Sequence, residues 1–307
     1  MFQETLRLKL RYILWPYTRV LLALVAGAAL FHVALFKALP QYEPPDWLWT
    51  FVGPLVGGLL VVLLALWPNF RLIKEKQAGK GSLGQLLAIV ALAIFALTWS
   101  SGGHYLRAML SPLQPLPTLA ELSRYAPTRY YQVQWLRLDT LHAGNGFRSE
   151  ITGRNSEHLY FNLFIACPAA PSADSTAAVP AWVGFCYTHE MSSRASPAEK
   201  RMALHAFLVT SSHQFNLDNA RPCAYLARSP NDNERAGLRE AATHSTRYRA
   251  AAEPPLILLP VYEPFAQRGR TAGRTFWWSL GIGNGLFLLL LLALPLDEVR
   301  RQALLAG

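Results

Sequence analysis

Four apolar runs, each long enough to cross a bilayer, constrain this chain more than any other feature of its sequence. A hydrocarbon core about 30 Å thick calls for about 20 apolar residues in a helix. The first run is Val20 to Leu39, interrupted by His32 and Lys37. The second, Trp47 to Trp67, carries no charge and has Trp at both ends, where amphipathic rings settle at the headgroup level. The third, Leu83 to Trp99, has Gln85 as its strongly polar residue, and the fourth, Thr275 to Pro295, opens with Phe276, Trp277 and Trp278 and closes in leucine. With 52% hydrophobic and 16% charged residues, the chain is too apolar for water-facing cores alone and unlike a disordered or collagen-like sequence. The expected fold class is membrane α-helical, with four transmembrane helices, plus a periplasmic α+β domain rich in strands.

Lys and Arg in short loops set the expected orientation. Arg7, Lys9, Arg11 and Arg19 precede the first span; Arg71, Lys74, Lys76 and Lys80 follow the second; Arg300 and Arg301 follow the fourth. The turn from Gln41 to Asp46 has no Lys or Arg and two acidic residues. An even number of spans and this charge bias both put the two ends in the cytoplasm of a bacterial inner membrane. The expected organisation is therefore a cytoplasmic segment 1–19, spans 20–39, 47–67 and 83–99, a periplasmic domain 102–274, a span 275–295 and a cytoplasmic tail 296–307. The first apolar run exceeds the 7 to 15 residues of a signal-peptide core, and no small-x-small cleavage site follows it, so it reads as a signal anchor. Residues Phe2 to Tyr17 read either as an interfacial helix or as a charged leader.

The long loop is expected to fold on its own. Ser111, Pro112, Pro115 and Pro117 read as a stiff connector. Thr118 three residues before Glu121 has capping-box spacing and predicts a short helix over Leu119 to Arg124. Strands are predicted over Tyr130 to Leu138, Phe147 to Gly153, Leu159 to Cys167 and Ala181 to Tyr187, the second and third as a hairpin, with a Pro/Ala/Ser-rich loop before the fourth. Ser196 with Pro197 and Glu199 opens a helix expected to reach Phe207, and Ser229 with Pro230 and Asp232 opens another to Thr243. Cys223 to Arg228 and Leu256 to Tyr262 complete the expected strands.

Catalytic signatures are not found. Cys167, Cys186 and Cys223 all lie in the long loop. A cross-strand disulfide between Cys167 and Cys186, three buried free thiols and a catalytic thiol are the alternatives. His104, His142, His158, His189, His205, His213 and His244 show no metal-ligand spacing, and no metal or cofactor is expected. There is no GxSxG elbow, and Gly79-Lys80-Gly81-Ser82 lacks the upstream glycine of a phosphate loop. The net charge of +10 is accounted for by the topology signals and scattered Arg, so no nucleic-acid partner is expected.

Polar residues inside spans are costly and are expected to find partners. His32 and Asn284 lie at similar depth, and either a hydrogen bond between them or a lone functional histidine accounts for them. Gly53 and Gly57, and Gly281 and Gly285, form GxxxG patterns that predict close helix packing within the chain or between copies, so a homo-oligomer is one expected assembly. Glu263 and Arg268, beside the fourth span, are candidate contacts for a partner, or a brace between domain and membrane.

Two segments carry a resemblance. Ser156-Glu157-His158-Leu159-Tyr160-Phe161-Asn162, running into Ile165-Ala166-Cys167-Pro168, and Leu259-Pro260-Val261-Tyr262-Glu263-Pro264-Phe265, followed by Arg268 and Gly269, resemble the amino-terminal, non-catalytic membrane module of some bacterial rhomboid-family proteins. The rhomboid catalytic bundle has no counterpart here, so the resemblance implies a non-catalytic role. The expected function is that of an integral inner-membrane scaffold or sensor, embedded in the lipid bilayer, whose periplasmic domain binds an envelope or membrane protein or a ligand. The alternatives are a membrane-anchored enzyme using His158, His189, Glu190 and Cys186, and an oligomeric channel. Convergence of several of those four in one concave pocket marks the enzyme; a polar stripe along the spans marks the channel; an exposed apolar or aromatic patch on the domain marks the scaffold.

Overall fold

The computed structural model describes residues 2–38, 48–73, 83–169, 178–229, 231–252, 254–297 and 302. It divides into a helical unit, residues 1–110 and 268–307, and a sheet unit, Ser111–Gln267. Several expected topology signals lie outside the described residues: the turn from Gln41 to Asp46, Lys74, Lys76, Lys80, Arg300 and Arg301.

Four helices are long and apolar enough to span a membrane. Helix α1 covers residues 2–38 and includes a π turn at Leu10–Leu14. Helix α2 covers residues 48–70, with π turns at Leu48–Val52 and Val62–Leu66. The first of these wider turns immediately precedes Pro54, whose missing N–H removes one rung of an ordinary α-helical ladder. Helix α3 is Leu83–Leu110. It runs past the expected end at Trp99 because Ser100 to Gly103 contains no breaker strong enough to stop it before Pro112, and the sheet unit accordingly begins at Ser111 instead of residue 102.

The sheet unit holds a mixed seven-stranded sheet in the order β1-β2-β6-β7-β5-β4-β3. The strands are β1 Leu113–Leu116, β2 Tyr130–Val133, β3 Gly144–Thr152, β4 His158–Pro168, β5 Trp182–Ser192, β6 Tyr225–Arg228 and β7 Ile257–Val261. The β1–β2 and β5–β7 pairs are parallel and the others antiparallel. Helix α4, Pro197–Ala220, and helix α5, Asp232–Thr243, complete the unit, and helix α6, Arg270–Ala293, belongs to the helical unit.

Alternation along β4 and β5 sends side chains to two separate cores. Ile165, Cys167, Val183 and Phe185 join Leu226, Leu258 and Phe215 of α4 on one face. Phe164, Ala166, Trp182 and Ile257 join Leu238, Ala241 and Ala242 of α5 on the other. Close approach of α5 depends on small residues: a Cβ on Gly184 would fall 2.5 Å from a Leu238 methyl carbon.

The starts of both helices follow from local hydrogen bonding. Ser196 Oγ accepts from the Glu199 N–H at 3.3 Å while the Glu199 carboxylate accepts from the Ser196 N–H at 2.7 Å, a complete capping box with Pro197 in the first turn. Those bonds hold the Glu199 carboxyl below its ordinary pKa. Asn231, not Ser229, caps α5, its side-chain oxygen accepting from the N–H groups of Asn233 and Glu234. Thr118 makes no side-chain cap; Glu121 pairs with Arg124 at 3.7 Å, and Leu119–Arg124 is a 3₁₀ turn.

Candidate functional site

Within the helical unit, polar groups are spent on holding helices together. Tyr17 of α1 stacks on Phe287 of α6, with ring centroids 3.8 Å apart, and on Phe95 of α3 at 5.6 Å. Its hydroxyl donates to Asn284 Oδ1 at 2.9 Å. The expected His32–Asn284 bond is therefore replaced by a Tyr17–Asn284 bond. His32 lies instead against Gly103 of α3, where a Cβ would come within 2.6 Å of its Nε2, and it lines a cavity of about 140 Å³ with Ala28, Thr98, Trp99 and Phe276. The Lys9 ammonium donates to the Leu292 carbonyl at 2.9 Å, satisfying one of the last carbonyls of α6 at its negative dipole end.

The glycine patterns divide. Gly57 receives the Trp99 indole, and Gly58 the side chain of Leu92, whereas among the described residues a Cβ on Gly53 would meet only the Leu48 carbonyl of its own helix. In α6 it is Gly283 that packs, against Ile94; nothing among the described residues lies within 4 Å of a Cβ placed on Gly281 or Gly285. Arg268, a candidate partner contact, donates to the carbonyls of Ala108 at 3.0 Å and Met109 at 2.9 Å and so caps the end of α3. Glu263 is exposed.

In the sheet unit the register brings two of the four enzyme candidates together. His158 lies opposite Ser192, and Tyr160 opposite Glu190, on one face of β4–β5. His158 Nδ1 is 2.6 Å from the Glu190 carboxylate, and both side chains are about half exposed. Hydrogen bonding to Glu190 is the largest cause of a raised Tyr160 pKa. The pair borders an open depression of about 530 Å³ with Glu157, Met191, Ser192 and Arg194. A water-filled depression screens charge and offers little of the preorganised low-dielectric field that general acid–base chemistry uses.

The other two candidates lie elsewhere. His189 points to the opposite face and stacks on Phe161 and Phe207, at 6.4 and 5.9 Å. Cys186 packs beneath α5 with the Phe164 cluster. Cys167 faces the other core, opposite Val183, while Cys186 is opposite Phe164, so the expected bridge between them does not form: the side chains leave opposite faces of the sheet, and all three cysteines are free. Burial pushes the thiols of Cys167 and Cys186 up to about 12, far from the thiolate form that a nucleophile needs. Among the described residues no group of three His, Cys, Asp or Glu side chains is placed to hold a metal ion.

The sequence reading missed a polar network around Asp139. Its carboxylate accepts from His142 Nδ1 and from the Tyr248 hydroxyl, both at 2.9 Å, and from the His142 N–H at 3.3 Å. Burial alone would raise its pKa, but these bonds outweigh it and hold the carboxyl below the ordinary value. The Asp139–His142 spacing was readable as a local turn; Tyr248, far along the chain, had no local signal. A depressed folded-state pKa contributes stability that is present above the unfolded value, about 4, and is lost as pH falls through the folded value. Thermal unfolding of purified protein between pH 7 and pH 3 is expected to show Asp139→Asn less stable than the parent at pH 7, with the difference shrinking below about pH 4. A constant difference across that range would remove the assigned role.

Within the sheet unit, one exposed apolar surface is on α4. Its inner side carries Phe207, Ser211 and Phe215, while Met202, Ala206, Val209, His213 and Leu217 recur at helical spacing on the opposite side. Met202, Val209 and Leu217 are 72%, 58% and 54% exposed. No family model matches the chain, and searches of curated proteins and of solved structures return no match. None of these comparisons supports the expected resemblance of the Ser156 and Leu259 segments to the rhomboid family.

Proposed function

We propose that this is a bacterial inner-membrane protein with both ends in the cytoplasm and its sheet domain in the periplasm, acting as a non-catalytic scaffold or sensor that binds another envelope protein. The bare apolar stripe of α4 carries this reading. Met202, Val209 and Leu217 follow the spacing by which one amphipathic helix accepts another, and a soluble surface seldom keeps such a stripe without use. Lys and Arg at the sequence positions flanking the spans support the orientation. The enzyme reading is left with the His158–Glu190 pair alone, without His189 or Cys186 beside it.

Mild-detergent purification of tagged protein from native membranes tests the proposal. A stoichiometric partner is expected. The double variant Met202→Glu, Val209→Glu is expected to weaken its capture by about 2 kcal/mol, roughly thirtyfold in affinity. Wild-type protein that purifies without a partner, or a partner retained equally by the double variant, would overturn the reading.

A further inference from the structure

The two edges of the seven-stranded sheet are built differently. At one edge, β1 is four residues long and contains Pro115, with Pro112 and Pro117 on either side, the usual means of blunting a strand edge. At the other, β3 is nine residues long and free of proline. Only its first residues are covered: the Asn145 carbonyl meets His244 Nδ1 at 2.8 Å, and Gly144 sits under α5. From Gly146 to Thr152, β4 is its one strand neighbour, and among the described residues no other backbone hydrogen bond reaches it. A row of outward N–H and C=O groups on a strand this long is a template for another strand.

The side chains along this edge are complementary to themselves. If two copies of β3 run antiparallel about a twofold axis at Ser149, cross-strand partners are fixed by symmetry. Phe147 then lies opposite Ile151 of the second copy, and Arg148 opposite Glu150 of the second copy. The apolar pair falls on the face that also carries Phe161, whose ring lies 6.0 Å from that of Phe147; the charged pair falls on the face where Arg148 already donates to Glu240 at 2.5 and 3.1 Å. Phe147 and Ile151 are 44% and 59% exposed, and Ser149 and Glu150 are exposed as well. A register shifted by one residue toward either end loses both matches, setting Arg148 against Ser149 or Ser149 against Glu150.

We infer that β3 is the interface of a homodimer, formed by antiparallel edge-to-edge pairing of two copies about Ser149. This goes beyond the scaffold reading and stands on a different surface, so either can fail alone. The test is made on the full chain in nanodiscs, with mass from light scattering and with thiol cross-linking by a short bifunctional reagent against the parent protein, whose own cysteines set the background. A dimer is expected. Ser149→Cys is expected to cross-link to itself because its two copies face each other, Phe147→Cys is expected not to, and a mixture of Phe147→Cys and Ile151→Cys protein is expected to link the two species. Glu150→Arg, on an exposed side chain, is expected to weaken the dimer at least tenfold while leaving the circular dichroism spectrum unchanged. A monomeric parent, or a dimer in which Ser149→Cys cross-links no better than Phe147→Cys, would overturn the inference.

Discussion

Tyr17→Ala is expected to destabilise the helical unit by about 3–5 kcal/mol, the range for removing a large buried ring. Tyr17 is 1% exposed and touches two other helices at once, by stacking on Phe287 and Phe95 and by its bond to Asn284. Inside a bilayer no hydrophobic force drives apolar helices together, so packing and hydrogen bonds carry the association. Tyr17→Phe keeps the ring and loses the bond, and is expected to cost about 1 kcal/mol, within the span measured for interhelical bonds in membranes. Unfolding of the full chain in mixed micelles of rising denaturing-detergent fraction, followed by tryptophan fluorescence, separates the two. Equal losses for Tyr17→Ala and Tyr17→Phe would place the stabilisation in the hydroxyl and sink the stacking account.

The second large effect is expected at Gly144. A Cβ there would fall onto the Ala241 carbonyl oxygen and 2.9 Å from the Ala241 carbonyl carbon, both backbone atoms of α5 that no side-chain rotation can move. Gly144→Ala therefore forces α5 away from the sheet, where it covers Phe164, Ala166 and Trp182. A loss of about 3 kcal/mol, at the top of the ordinary overpacking range, is expected. Gly146, two residues along the same face, provides the control: its added Cβ would lie 3.4 Å from the Ala241 methyl, a contact that a small adjustment relieves, and Gly146→Ala is expected to cost under about 1 kcal/mol. Near-UV circular dichroism melts of both variants decide this, and comparable melting points for the two would refute it.

What could be read beforehand followed the range of the interactions concerned. The β3–β4 hairpin announced itself through β-forming residues on both sides of a polar turn, and the helix start at Ser196 through Pro197 and Glu199 within the next three positions. The length of α4 did not. Its expected end was Phe207, but no Gly or Pro stops the helix before Pro222, and it continues to Ala220. The segment at Pro115 reads as a connector because proline is excluded from interior strands; at a sheet edge, where one N–H has no ladder to join, it is tolerated, and β1 pairs with β2 there. The parallel pairing of Trp182 with Ile257 joins distant segments and left no local trace.

The match of His32 with Asn284 by position along their spans did not hold: Tyr17, from the segment before the first apolar run, is level with Asn284 and takes the bond, and His32 lies about 22 Å further along the same helix, beside Gly103 and Phe276. Position within an apolar run does not say which residue of a neighbouring helix it meets. The same limit applies to the glycines, since a GxxxG pattern marks a side of a helix without saying what lies there. On α6 nothing among the described residues meets a Cβ placed on Gly281 or Gly285, and Gly283 makes the contact instead. For the site, a list of His, Cys and Glu was available from the start, but their division between two faces depended on strand register, which fixes parity residue by residue.

The bond from Lys9 to the Leu292 carbonyl also bears on how the molecule is made. During synthesis the ammonium of Lys9 leaves the ribosome 283 residues before its acceptor. Tyr17 waits almost as long for Asn284. Through that interval the first helices stand as an unfinished bundle with a charge and a hydroxyl still unanswered, while the whole sheet domain is translated between them. Chains arrested before α6 thus lack the acceptors of both Lys9 and Tyr17.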